Sequence, residues 1–363
     1  MRLTCAGCAA FVLACGLTLL PHAAIAQVDE ASGSLRERLK QRLVKARTER
    51  MDRIDRQVSA PSPESRARIE TAGDQTRSIE HQGLTRTYRV HVPQGYDAAT
   101  PTPLLLAFHG GGGNMDQMAA DSNYGLISKS EAAGFIVVFP NGYSRFGAGK
   151  FATWNAGKCC AAARDQNIDD VGFVRKIISD ISGQLNINRQ QIFATGMSNG
   201  GMMAYRLACE MADTFKAIAA VAGTDNTTEC RSSAPVSILH IHAVNDDRVL
   251  FNGGAGKKFR DAAQVTDFTS VPKTLNAWLN HDKCNSTAQR VLETAGAYCD
   301  RYSPCQGQAA VQLCVTERGG HSWPGGAKPR SDEPPSQALG ANEIMWAFFT
   351  TLTATGAPAK GRQ

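Results

Sequence analysis

The chain has 363 residues, 42% of them apolar, and a formal charge of +6 from 39 Lys and Arg against 33 Asp and Glu. That excess is spread thinly: Arg2 alone in the first 26 residues, 11 basic against 9 acidic over 27–75, and 27 against 24 beyond. The bulk of the chain is nearly balanced and lacks the basic stripe with interleaved aromatics that nucleic-acid binding needs, which excludes that class of partner, and its length suits one large catalytic domain.

The first 26 residues, "MRLTCAGCAAFVLACGLTLLPHAAIA", have the three parts of a secretory signal: Arg2, an apolar run and the small pair Ala24 and Ala26. Cleavage after Ala26 and an extracellular or periplasmic location follow. A lipoprotein cut before Cys15 would strand Leu17 to Leu20 outside the apolar region. No other apolar run is long enough to make a transmembrane span.

Residues 33–58 repeat apolar positions (Leu35, Leu39, Leu43, Met51, Ile54, Val58) at intervals near three to four among alternating charges, and a Pro- and Ser-rich linker follows. The pattern predicts a solvated helical arm over 27–75. Surface adsorption through this basic arm is the functional expectation, and deletion of 27–75 would then weaken retention on polymer or envelope.

The catalytic domain is expected over 76–355, with 356–363 a tail. Gly83 suits a hairpin turn between two strands in "RSIEHQGLTRTYRVHVPQGYD". Short apolar runs then alternate with helical patterns. Strands are expected in "PLLLAFHG", "GFIVVFPNG", "QQIFATG", "FKAIAAVAG", "VSILHIHA", and near 288–294 and 311–316. Helices are expected over 116–133, 168–185, 199–211, 266–280 and 336–353. The fold class is therefore α/β, with a mostly parallel sheet covered by helices on both faces.

Three cysteines leave with the signal. Eight remain (Cys159, Cys160, Cys209, Cys230, Cys284, Cys299, Cys305 and Cys314), an even count that favours disulfides in an exported chain. Their spacing lacks paired CxxC units, so no metal site is expected. The last four should staple the segment just before His321.

Reactive groups in such sheets collect beyond the carboxyl ends of the strands. "ATGMSNGGMMAYRLACE" (194–210) puts Ser198 between a strand and a helix, with Gly196 and Gly200 where a sharp turn leaves no room for Cβ atoms. A serine needs a base, and the base an acid that fixes its tautomer. Chain order in this architecture is Ser, acid, His. Asp246 follows Ser198 by 48 residues at the end of "VSILHIHA", and His321 lies a further 75 along, in "GGHSWPGG". Asp247 and Asp225, the latter past the preceding strand, are the alternative acids. Four glycines after "LLAFH" match a loop whose backbone amides bind an oxyanion; Gly111 and Asn199 are the expected donors.

Jointly, "LLAFHGGGGN", "TWNAGKCC", "DDVGFVRKII", "ATGMSNGGMMAYRLACE", "HIHAVNDDRVLFNGG" and "GGHSWPGG", spanning 104–326, resemble the secreted polyhydroxybutyrate depolymerase and feruloyl esterase family of α/β-hydrolases. The resemblance implies Ser198 as nucleophile, Asp246 as acid and His321 as base. Its His-Gly-x-x-Asp-x-x-Val pattern takes His242, Asp246 and Val249, with Ala243 in place of Gly and Asp247 in place of a common Pro. It also implies an ester substrate, either an aromatic ester or an oligomeric polyester, hydrolysed through an acyl-enzyme without metal or organic cofactor. Trp154 and Trp323 are expected to wall the substrate cleft. Cys159, Cys160 and Cys209 are expected in the disulfide set that supports the site. The rival readings are a peptidase of the same architecture and a non-catalytic surface-binding protein.

Overall fold

The computed structural model describes residues 72–146, 149–258, 267–327 and 332–355, together with Arg42, Lys45 and Ile69. The expected signal, most of the arm and the tail lie outside the described residues.

Ten strands form one sheet in the order β1-β2-β4-β3-β5-β6-β7-β10-β9-β8. It opens with the expected hairpin, β1 (Gly73–His81) against β2 (Leu84–Val92), in register His81 to Leu84. The turn residues Gln82 and Gly83 both have positive φ, 50° and 76°, the geometry that matches the right-handed twist of paired strands. The centre is parallel: β3 (Thr102–Phe108), β4 (Ile136–Pro140), β5 (Ile187–Met197), β6 (Ala217–Val221), β7 (Ser237–Ala243) and β10 (Val311–Thr316). The far edge turns antiparallel through β9 (Ala297–Tyr302) and β8 (Gln289–Thr294).

Two apolar cores result, one on each face, because alternate residues of a strand point to opposite sides. Leu104, Leu106, Phe108, Ile218 and Ile238 share one with Val174, Ile177, Met203 and Leu207. Leu105, Ala107, Phe193, Leu239 and Ile241 share the other with Met345, Phe348 and Phe349. Continuous apolar runs were the visible sign of this double burial.

The helices are α1 (Met115–Ala119), α2 (Asp121–Tyr124), α3 (Leu126–Ala133), α4 (Ala161–Asp165), α5 (Asp170–Ser182), α6 (Asn199–Glu210), α7 (Val271–His281) and α8 (Ala341–Thr355). Three short helices thus replace the single one expected over 116–133. Gly125 is left-handed at φ 65°, and the Asp121 carboxylate accepts the amides of Ile127 and Ser128 at 3.0 Å, recapping the chain as α3. Strand β9 was not foreseen. Disulfides join Cys299 to Cys314 across β9 and β10, Cys284 to Cys305, Cys209 to Cys230 and Cys159 to Cys160, so the last four cysteines do staple the segment before His321. No helix among the described residues is long and apolar enough to cross a membrane.

Candidate active site

The parallel strands β3, β5, β6, β7 and β10 deliver five loops to one edge of the sheet. Ser198 occupies the loop after β5 with φ 57° and ψ −123°. A non-glycine residue held there stores on the order of 1–3 kcal/mol, which only tight surroundings sustain. Those surroundings are glycines. A Cβ at Gly196 would lie 2.5 Å from the Gly200 carbonyl, one at Gly200 2.1 Å from Phe108 O, and one at Gly223 2.2 Å from Ser198 O. The Ser198 amide donates to Val221 O at 2.8 Å. Ser198 is partly exposed while its neighbours Met197 and Asn199 are buried, so the turn lifts its hydroxyl out of the core at the N-terminus of α6.

His321, after β10, and Asp246, after β7, meet directly. His321 Nδ1 lies 2.8 Å from Asp246 Oδ2 and 3.1 Å from Oδ1. Both residues are at most 3% exposed. Asp246 Oδ1 also accepts the amides of Arg248 and Val249, each at 2.9 Å. Burial opposes its charge, but His321 beside it and hydrogen bonds from His242 and His321 outweigh that and hold the carboxyl well below the usual range. The alternative acids are otherwise engaged. Asp247 pairs with Lys258 at 3.0 Å. Asp225 accepts the Trp278 ring N–H at 2.9 Å and the Thr227 amide at 2.9 Å.

The loops that carry Asp246 and His321 are tied together. Glu333 accepts from Arg318 at 2.6 Å and from the Asn245 side chain at 2.8 Å, while Asn245 Oδ1 accepts the Gly320 amide at 3.0 Å. Neighbours of Asp246 and His321 thereby share one carboxylate.

The glycine loop after β3 is fixed at its root. His109 Nδ1 donates to Gly110 O at 2.8 Å, and its Nε2 accepts the Gly142 amide at 3.0 Å. Gly112 and Gly113 commit their amides to Ala152 O and Gly110 O. Gly111 stands against the elbow, a Cβ there lying 3.6 Å from Asn199 Cβ. The two expected oxyanion donors are therefore neighbours.

Residues 80–302 match a family model described as "Esterase: Putative esterase". The chain belongs to this esterase family. The esterase is 28% identical over 283 residues to the Putative esterase NocK of Nocardia uniformis subsp. tsuyamanensis, covering 74% of this chain and 79% of that one. It is 29% identical to Feruloyl esterase B of Piromyces equi, over 64% of this chain and 42% of that one. It is 33% identical to the Probable feruloyl esterase C of Aspergillus niger, over 48% and 60%. The chain thus spans about half the length of those two feruloyl esterases. Among solved structures, an acetyl xylan esterase from Aspergillus awamori superposes with a TM-score of 0.50 at 11% identity, over 76% of this chain and 99% of that one. Native sOPH gives 0.51 at 16%, over 81% and 95%. These likenesses bear out the α/β-hydrolase fold.

One expectation for the esterase needs correction. Trp154 and Trp323 are 0% and 2% exposed. Trp154 donates its ring N–H to His109 O at 2.9 Å and packs edge-on to Phe108; Trp323 donates to Asn342 at 3.1 Å and packs edge-on to Tyr124. Neither ring has a face left for substrate, so both support the site from within. Asn199 holds Trp154 from the other side, Oδ1 accepting its amide at 2.7 Å and Nδ2 donating to its carbonyl at 3.1 Å. The Cys159–Cys160 pair lies against the same amide, with Cys159 Sγ 3.7 Å from Asn199 Nδ2. Behind this loop the buried Arg86–Asp170 pair, 2.7 Å apart, supports the Asn155 amide through Asp170 at 2.8 Å, and burial pushes the Asp170 carboxyl up.

Two features of the esterase were given no site role in the sequence reading, where His242 entered only as part of the pattern around Asp246. Phe146 and Phe151, 61% and 71% exposed, stand edge to face at 5.9 Å, on the loop whose Ala152 bridges to Gly113. Their signal was two phenylalanines in a Gly-rich loop. His240 and His242 line up behind Asp246; two histidines two apart in an otherwise apolar strand were theirs.

Proposed function

We propose that the chain hydrolyses carboxylic esters through an acyl-enzyme on Ser198. The observation that carries this reading is the hydrogen-bonded His321–Asp246 pair at the sheet edge where the turn lifts Ser198. His321 takes the serine proton through Nε2 while Asp246 holds Nδ1–H and stabilises the imidazolium. Ser198 attacks the ester carbonyl, and the amides of Gly111 and Asn199 take the oxyanion as the tetrahedral intermediate forms. The imidazolium protonates the departing alcohol, and water activated by His321 then releases the acid. This sequence calls on no metal or organic cofactor.

Within esters we favour those of hydroxycinnamic acids. Two observations support that choice: the feruloyl esterases among the relatives, and the exposed edge-to-face Phe146–Phe151 pair beside the glycine loop, apolar rings against which another aromatic ring can pack. Oligomers of 3-hydroxybutyrate are the aliphatic alternative implied by the sequence resemblance. The signal-like N-terminus and four disulfides support export, and the basic arm is proposed to adsorb to surfaces.

The test compares the chain with its Ser198→Ala variant on p-nitrophenyl acetate, methyl ferulate and soluble 3-hydroxybutyrate oligomers. Turnover lost in the variant, together with fluorophosphonate labelling only of the parent, is expected. Turnover that survives the substitution would overturn the serine mechanism.

A further inference from the structure

Behind Asp246 runs an unbroken line of buried polar groups. Asp246 Oδ2 is 3.3 Å from His242 Nε2, which also lies 2.8 Å from Val249 O. His242 Nδ1 is 3.1 Å from His240 Nε2, and His240 Nδ1 is 2.8 Å from the Tyr205 hydroxyl. The two imidazoles stand two residues apart on β7, so they face the same side, with ring centroids 5.2 Å apart and 13° between planes, the near-coplanar arrangement that an N–H···N bond between rings requires. Tyr205 reaches them from α6, the helix that begins beside Ser198. Tyr205, His240 and His242 are each at most 2% exposed.

Hydrogen-bond valence orders this line. A carbonyl oxygen and an ionised carboxylate can only accept, so His242 Nε2 must carry hydrogen. A neutral His242 then has a bare Nδ1 and accepts from His240 Nε2–H. A neutral His240 in turn accepts at Nδ1 from the Tyr205 hydroxyl. Burial, and then the neighbouring His242, hold the His240 pKa well below its usual value, while burial and Asp225 push the Tyr205 phenol well above its own. Tyr205 therefore stays a donor. The competing arrangement, an imidazolium at His242, would keep its Nε2–H on Asp246 and Val249 and reverse the donors of the two links beyond it.

We propose that Tyr205, His240 and His242 are positioning residues that direct donated protons one way, toward Asp246. The line anchors Asp246 Oδ2 and draws off part of its charge, which tunes how strongly the carboxylate stabilises protonated His321. This rests on Asp246 being the acid of the proposed esterase. Removing the donor leaves the full charge to His321, favours its protonated form, and moves the acid limb of kcat/KM to higher pH. The surrounding charged groups are Asp225 beyond β6, Asp247 with Lys258 after β7, and Glu333 with Arg318 after β10; all are retained in the variants below.

Two measurements on the full chain test this. Long-range 15N–1H correlation of the imidazoles should show His240 and His242 both neutral and protonated at Nε2. An imidazolium at His242, or hydrogen on its Nδ1 alone, overturns the proposal, and this readout requires no turnover, so it stands apart from any failure of the esterase reading. In the pH profile, His242→Leu should raise the acid limb by at least about half a pH unit and lower kcat about tenfold at unchanged KM. His242→Gln, which keeps an N–H toward Asp246 and Val249, should restore most of both. If the Leu variant does not fold, Tyr205→Phe, which removes one hydroxyl at the far end, should move the limb in the same direction by less. Folded variants that melt lower but keep the parent's limb would mark these residues as packing alone.

Discussion

A single methyl group at Gly200 should damage stability and chemistry together. Its Cβ would sit 2.1 Å from Phe108 O, 2.6 Å from Phe108 C and 2.7 Å from His109 O. An ordinary C···O contact is about 3.3 Å, so α6 and the end of β3 must part by about 1 Å. All three atoms are backbone, and no rotamer change relieves them. Overpacking of this kind costs about 3 kcal/mol, or roughly 5 °C in Tm for a domain of this size. The same displacement carries the serine away from the glycine loop, and a misplacement of about 1 Å costs on the order of a hundredfold in kcat/KM. Calorimetry at one scan rate and hydrolysis of p-nitrophenyl acetate read the two effects. Gly111→Ala is the stability control: its Cβ would meet Asn199 Cβ at an ordinary 3.6 Å, and its Tm should stay within about 1 °C. Gly200→Ala with the parent's Tm would refute the packing argument. A lowered Tm with intact kcat/KM would refute the coupling to chemistry.

Asp246→Asn should lower kcat by about 10⁴, whereas Asp225→Asn should leave kcat within a few-fold and lower Tm through the weakened hold on Trp278; the reverse outcome would move the acid to Asp225. Because the folded state depresses the Asp246 pKa, its stabilising contribution is full at neutral pH and fades as pH falls below about 4. The Tm gap between parent and Asp246→Asn should narrow over that range, and a widening gap would contradict the assigned direction. Replacing Cys299 and Cys314 by Ala opens a loop spanning 15 positions and should cost about 3 kcal/mol, visible as a lower Tm that reductant depresses no further at that bridge. Phe151→Ala should raise KM for methyl ferulate several-fold more than for p-nitrophenyl acetate, and equal effects would remove the ring from substrate recognition.

The parallel centre of the sheet was legible because strands buried on both faces need unbroken apolar runs, and β3 through β7 have them. The order Ser198, Asp246, His321 could be read along the chain because each was expected past a later strand, and the structure places them after β5, β7 and β10. The choice among Asp225, Asp246 and Asp247 rested on family pattern alone, since a carboxylate at a strand end looks the same whichever partner it finds. Only the folded chain shows Trp278 and Lys258 taking up two of the three. Strand β9 escaped because its "AYCDRY" alternates weakly, lying near the edge where half its side chains face out. The tryptophans misled for a related reason: Gly-rich flanks signal a loop, not whether the loop folds its ring inward.

The clasp between Asn199 and Trp154 has a meaning for how such enzymes diversify. The side-chain amide of Asn199 imitates one peptide unit of a neighbouring strand, bonding both the N–H and the C=O of Trp154. Together with the Gly112–Ala152 bond it pins the base of the loop that begins near Tyr143, while Phe146 and Phe151 stand outside. If Phe146 and Phe151 meet the acyl group as proposed, a change of substrate preference would fall on these two exposed rings, while the residues clasped beside Ser198 stay as they are.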